Sequence, residues 1–255
     1  MQKLVFTILF TFLFVEAQQQ LYPPPTSLIT IPTAGSLTRG SFSAGMRIQK
    51  DGGLLNSLAV GFSDRFMFGI SLGASNLIGD QKPIPNPRPE LMLKYRVIDE
   101  SLTMPALSLG IDSQGFGKYN EADSIRRYDV KGFGLYLVSS KNWKSIFGNL
   151  GLHFGVNYNL TENIDQDDDL NLFTGVDIEF NPEFSFLIEY NAALNQNNMT
   201  AKTISLSNGG FLNAGLRFSI FENLHLELHF NNLLFDEEKV SYYNREVKIN
   251  YIEYF

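Results

Sequence analysis

The stretch 60–74, VGFSDRFMFGISLGA, alternates strictly between large apolar residues and small or polar ones. Phe66, Phe68, Ile70, Leu72 and Ala74 share one face, and Met67, Gly69, Ser71 and Gly73 share the other. Ahead of the Ser63-Asp64-Arg65 turn, Leu58, Val60 and Phe62 alternate with Ser57, Ala59 and Gly61. Successive side chains of a strand point to opposite faces, so this is a hairpin whose two faces meet different surroundings. A helix would need the apolar residues three and four apart.

The pattern recurs in ten further segments: 42–48, 91–97, 107–112, 133–138, 150–158, 172–180, 184–191, 212–220, 224–231 and 247–251. In 150–158, for example, Leu150, Leu152, Phe154, Val156 and Tyr158 oppose Gly151, His153, Gly155 and Asn157. In 133–138, Phe133, Leu135 and Leu137 oppose Gly134, Tyr136 and Val138. The segment 28–31 reads as a short strand or as a piece tucked against the others. The connections alternate too. Tight turns at 63–65, 181–183 and 221–223 share one chemistry, while 75–87, 113–131, 159–169, 195–209 and 232–246 are long and polar. The connection at 49–55 is short for its side.

A soluble sandwich would give the same period, but its outer face would carry lysine and glutamate. Here the second face is rich in glycine and serine. Strands of about nine to eleven residues suit a tilted membrane crossing, whereas globular strands average about five or six. Short turns on one rim and long loops on the other are the pattern of outer-membrane barrels. Backbone groups in hydrocarbon must all be paired, so the sheet has to close on itself. The aromatic strand ends (Phe62, Phe66, Tyr95, Tyr158, Phe180, Phe184, Tyr190 and Phe230) suit interfacial girdles. The expected fold is all-β: a transmembrane antiparallel up-and-down β-barrel of about twelve strands over 40–255, with short periplasmic turns and longer extracellular loops.

Residues 1–17 read as a signal peptide. Lys3 supplies the positive end, 4–15 the short apolar core, and Val15-Glu16-Ala17 the cleavage site. Residues 18–39, opening on a glutamine- and proline-rich run, are expected to be a periplasmic lead-in, partly disordered. A formal charge of −7 argues against nucleic acid as a partner. The absence of cysteine excludes disulfides and thiolate metal sites. The expected location is the bacterial outer membrane.

Three stretches carry a resemblance. LITIPTAGSLTRGSFSAG (28–45) resembles the opening of YjbH-like outer-membrane barrel proteins, and SLGIDSQGFGKY (108–119) and YLVSSKNW (136–143) resemble their later strands. The resemblance covers about the first half of the barrel. It implies membrane placement and an association with exopolysaccharide production or export, with no settled chemistry. This chain is shorter than that family's pattern and lacks its lipoprotein cysteine and second domain.

The alternation places Arg47, Lys94, Arg96, Arg217 and Lys248 on the inward face, with Asp112, Asp177, Glu179, Glu189 and Glu227 opposing them. Two readings follow. One is a polar channel for small charged solutes or sugars; the other is an ion-pair network filling a narrow lumen, since twelve strands lie between filled eight-stranded barrels and open sixteen-stranded ones. The inward glycines 45, 61, 69, 73, 110, 134, 151, 155, 175 and 215 remove side-chain volume and so favour open space, or else allow curvature. The histidines His153, His225 and His229 also face the lumen. His225, Glu227 and His229 alternate on one strand, but residues two apart stand about 7 Å from each other, too far for easy chelation. No cofactor and no catalytic or metal site is expected.

Asp165, Asp167, Asp168 and Asp169 form an acidic loop, read as a solvated surface. Arg126-Arg127 and Tyr242-Tyr243 lie in long loops that could contact a polymer or partner. Asn159-Leu160-Thr161 and Asn198-Met199-Thr200 match a glycosylation pattern that an envelope protein of bacterial type does not use. The functional expectation is a passive pore or envelope component linked to polysaccharide handling. The alternatives are a non-conducting scaffold binding partners through its extracellular loops and, third, a lipid-modifying enzyme. Expected partners are outer-membrane lipids, the barrel-assembly machinery during biogenesis, and envelope polysaccharide or small polar solutes.

Overall fold

A computed structural model describes residues 24–121, 126–146, 148–197, 209–221, 223–234 and 244–255. The signal-peptide segment, Asn198-Met199-Thr200 and Tyr242-Tyr243 lie outside the described residues. In chain order the strands are β1 (Ser41–Gln49), β2 (Gly53–Ser63), β3 (Phe66–Ser75), β4 (Ile84–Pro85), β5 (Glu90–Ile98), β6 (Ala106–Asp112), β7 (Phe116–Asn120), β8 (Arg127–Val130), β9 (Gly134–Ser145), β10 (Gly148–Tyr158), β11 (Asn171–Asn181), β12 (Phe184–Asn191), β13 (Phe211–Ile220), β14 (Leu224–Asn231) and β15 (Asn244–Tyr254). Twelve of them make the wall. The short β4 extends the edge of β3, and β7 pairs with β8 in a separate hairpin.

Neighbouring wall strands are antiparallel, and β1 pairs with β15 from Ser41↔Tyr254 to Ile48↔Val247. That seam closes the sheet and leaves the wall no free edge. The chain is therefore an all-β, closed, twelve-stranded transmembrane barrel. The outward positions are the large apolar ones: Leu58, Phe68, Ile70, Leu72, Leu91, Leu93, Leu152 and Phe154 are all exposed. A belt of this kind around a closed wall is stable only against hydrocarbon.

The inward face is built differently from the lipid face. Tyr136 and Val138 point into the barrel and are fully buried, while Leu135 and Leu137 on the same strand are exposed. Phe133 shares the alternation of those two leucines but not their surroundings. It precedes β9 and turns inward to meet Phe173 edge-on at 5.1 Å between ring centroids.

The largest departure from expectation concerns 24–39. Residues 24–37 lie inside the barrel and join no wall strand, and Arg39 is exposed at the rim. Ser27 bridges Pro32, the Leu28 N–H donates to Ile31 O at 3.0 Å, and the Thr33 N–H donates to Thr26 O at 3.2 Å. The segment is a small hairpin with a tight turn at 28–31. Leu28, Ile29, Ile31, Ala34 and Leu37 are at most 2% exposed. The chain passes from this hairpin to β1 through Gly40, whose φ of +75° suits a residue without Cβ.

Candidate functional site: the occupied lumen

The lumen wall is shaped and charged to hold this hairpin. Glu189, on β12, is fully buried. Its carboxylate accepts the backbone N–H groups of Ile29, Thr30 and Ile31 at 2.9–3.1 Å, the Thr30 hydroxyl, and Asn213 Nδ2 at 2.8 Å. A turn that points successive N–H groups at one spot makes an anion cradle, and here the anion is a wall side chain. The other end of the hairpin is held by Lys94, on β5. Its ammonium donates to the carbonyls of Thr26 (2.6 Å), Thr33 (3.0 Å) and Gly35 (3.0 Å). Three donors meet three acceptors, so the buried charge is fully solvated by backbone. Ser108 Oγ and Arg96 Nε both donate to Ala34 O, and Arg217 Nη2 donates to Ser27 O at 3.3 Å.

The inward glycines take part in this fit. A Cβ at Gly175 would meet Leu28 and Ile31, and one at Gly215 would lie 3.2 Å from Ile29 Cγ1. At Gly61 it would lie 2.8 Å from the Thr38 carbonyl carbon. Elsewhere the missing side chains make room for wall residues: Tyr136 fills Gly110, Phe173 fills Gly155, and Asp177 fills Gly151. The volume these glycines give up is therefore occupied, and does not form an open bore.

The remaining inward charges are matched within the wall. Glu227 accepts from Arg217 Nε at 2.8 Å and from His229 Nε2 at 2.8 Å, with Lys248 Nζ at 3.4 Å. Arg47 pairs with Glu246 at 2.8 Å and donates to His229 Nδ1 at 3.0 Å. His229 thus carries its proton on Nε2. His225 turns away to Ser219 Oγ at 2.9 Å, so His225, Glu227 and His229 do not converge on one point. Asp112 accepts the Gln114 N–H at 3.0 Å, and Glu179 accepts from Asn149 Nδ2 at 3.3 Å.

One constellation escaped the sequence reading. Ser140 Oγ lies 2.7 Å from His153 Nδ1, and His153 Nε2 lies 2.7 Å from Asp177 Oδ1. The carboxylate fixes the ring proton on Nε2, so Nδ1 accepts from the serine. The signal was present in the pairing: His153 sits directly opposite Ser140, and Asp177 opposite Gly151. This order resembles a nucleophile, base and orienter. But Ser140 Oγ also accepts the Ala34 N–H at 2.8 Å and is 4% exposed. The serine is covered by the hairpin and serves as another of its anchors.

Among the described residues, two long loops pack together at the mouth. Phe116, on β7, lies over the Arg47 guanidinium at 4.7 Å from the ring centroid, and Ser71 Oγ donates to Gln114 Oε1 at 2.6 Å. Glu162 accepts the N–H groups of Tyr128 and Gly132, both at 2.7 Å. Its burial pushes its carboxyl up to about 7. Lys131 Nζ binds Asp165 at 2.8 Å and Asp167 O at 2.7 Å, and Arg127 Nη1 lies 3.2 Å from Asp165. Burial pulls the pKa of both cations down, and Asp165 opposes that. Asp165 and Asp167 are therefore buried, correcting the solvated reading of that acidic loop. Arg127 is likewise fully buried and offers nothing to a polymer.

Beside the hairpin, one wall stays wet. Ser57 is exposed within the lumen, and Ser43, Asn250, Lys248, Arg217, Ser219 and His225 are partly exposed. These residues of β1, β2, β13, β14 and β15 line a polar vestibule in the mid and lower barrel. A separate groove of about 810 Å³ lies largely on the outer surface, between the 102–105 turn and Trp143, Leu150, Leu152 and Phe154. Its apolar side chains belong to the lipid face.

A closed twelve-stranded antiparallel wall with a largely apolar exterior and a polar interior defines a β-barrel of the outer-membrane type. Among solved structures, "KdgM porin in complex with disordered oligogalacturonate" superposes with a TM-score of 0.50 at 11% identity, covering 83% of this chain and 98% of that one. "KdgM porin" gives 0.48 at 10% identity, with the same coverage of each chain. "NanC porin structure in rhombohedral crystal form." gives 0.39 at 8% identity, covering 84% and 98%. No family model matches the chain, and no curated protein matches it. The likeness is one of fold.

Proposed function

We propose that this chain is a bacterial outer-membrane porin-type channel for small polar solutes or saccharide fragments. The observation that carries this reading is the polar vestibule: Ser57, Ser43, Asn250, Lys248, Arg217 and His225 stay exposed or partly exposed inside a wall whose outside is largely apolar. A barrel that served only as an anchor would have no need of a solvated strip at that depth. Hydroxyl, amide and guanidinium groups together suit sugars bearing carboxylates, as hydrogen-bonding partners that also balance charge. The similar fold of the KdgM porin in complex with disordered oligogalacturonate supports that substrate class. The resemblance to YjbH-like barrels supports a place in polysaccharide handling. Lipids of the outer membrane and the barrel-assembly machinery are the partners such a barrel requires. Among the described residues, Tyr128, Gly132 and Lys131 of one long loop bind Glu162 and Asp165 of another, as loops gathered at a channel entrance do.

The test is uptake into proteoliposomes of short galacturonate oligomers and of neutral oligosaccharides of equal length. It is run on the native chain and on a chain lacking residues 24–36. Entry of the acidic sugar faster than the neutral one in either protein supports the proposal. Entry no faster than into protein-free vesicles, in both, overturns it.

A further inference from the structure

We infer that the 24–37 hairpin is a removable plug: it lies across the lumen between Glu189 and Lys94 in the folded barrel and must leave before solute can pass. The inference rests on the channel reading above and adds the element that controls it.

Three observations carry it. First, the hairpin is outside the hydrogen-bonded wall. Its backbone pairs within itself, at Leu28–Ile31 and Thr26–Thr33, and the backbone of the wall bonds to it only at the rim, where the Gly40 N–H donates to Gly61 O at 3.0 Å. Withdrawal therefore breaks no rung of the barrel. Second, the hairpin is held across the lumen by side chains from widely separated strands. Glu189 of β12 grips the turn, and Lys94 of β5 grips the base. Both are charged groups that water could solvate equally well once the hairpin has gone. The hairpin also packs Leu28, Ile29, Ile31 and Ala34 against Phe133, Tyr136, Val138, Phe173 and Leu187, but the charged grips on its backbone are contacts that water or a polar solute entering the lumen can replace. Third, the wall is cut to its outline at Gly61, Gly175 and Gly215, so the seat is specific. The chain emerges at Arg39 and Gly40 on the rim of the short turns, where the Arg39 N–H donates to Asp64 Oδ1 at 3.0 Å. That rim faces the periplasm in the proposed orientation, so the plug leaves toward the periplasm.

The experiment uses the full chain, which has no native cysteine. Ser140→Cys reports the seat, because Ala34 covers this position. Gly175→Leu blocks seating of Leu28 without touching the hairpin, and the Glu189→Gln/Lys94→Gln pair loosens both grips. With the hairpin and its grips otherwise intact, the introduced thiol should react slowly with a small, charged, membrane-impermeant thiol reagent. Its labelling should rise at least tenfold in either loosened background and in the chain lacking 24–36. Single-channel conductance should rise in the same order. Equal labelling in all backgrounds, or measurable conductance of equal size in all of them while the proteins remain folded by heat-modifiability, overturns the plug. Labelling that rises while no variant conducts leaves the plug standing and removes the channel reading instead.

Discussion

The loop closure carries its own pH dependence. Glu162 is buried beneath β8, and its carboxyl is pushed from the ordinary 4.5 to about 7. Burial raises it; the N–H groups of Tyr128 and Gly132, Arg127 and Asn159 act the other way without overcoming burial. The folded pKa lies above the unfolded one, so below about pH 4.5 the group is neutral in both states and the closure keeps its full stability. As pH rises from 4.5 through 7 the ionised form accumulates in the open state first, and stability is lost. At 1.36 kcal/mol per pH unit the loss reaches ~3 kcal/mol, roughly 100-fold in the opening equilibrium. Amide hydrogen exchange at Tyr128 and Gly132, corrected for the intrinsic pH effect, reads this opening directly. Protection should fall by that factor between pH 5 and pH 8 and stay level above it. Glu162→Gln should flatten the curve. Equal protection at both pH values in the native chain, or an unchanged slope in Glu162→Gln, would refute the reasoning.

Two further perturbations test the wall. Phe154→Arg places a charge on the lipid face mid-strand and should cost about 2–4 kcal/mol in unfolding from vesicles, against nearly nothing if that face met water. Gly110→Ala drives a methyl into the buried Tyr136 ring and should cost about 1–3 kcal/mol, read as a lowered urea midpoint in detergent at unchanged slope.

The wall was legible because period-two alternation is a local signal. Leu150 to Tyr158 declares its two faces within nine residues, and each such run became a strand. The plug was not legible, for two reasons. LITIP is too short to show a period, and its partners are far away: Lys94 lies 68 residues from Thr26, and Glu189 lies 160 residues from Ile29. The inward glycines misled for the same reason. A glycine announces missing volume but not what fills it, so Gly175 and Gly215 suggested open space where Leu28, Ile29 and Ile31 lie. His153 and Asp177 were each visible on inward faces, but the alternation was followed only to Val138 and missed Ser140, and only the β9–β10 and β10–β11 registers bring the three together. The burial of Asp165 likewise depended on Lys131 and Arg127 from another loop, which no count of acidic residues reveals.

The barrel is, in effect, a casting taken around its own hairpin. The wall's hollows at 61, 175 and 215 reproduce in negative a peptide of about a dozen residues, and the ionic grips mark its two ends. A mould and its insert must change together. Lengthening the hairpin by one bulky residue would demand a new hollow in the wall, and losing the hairpin would leave a cast with nothing to fit.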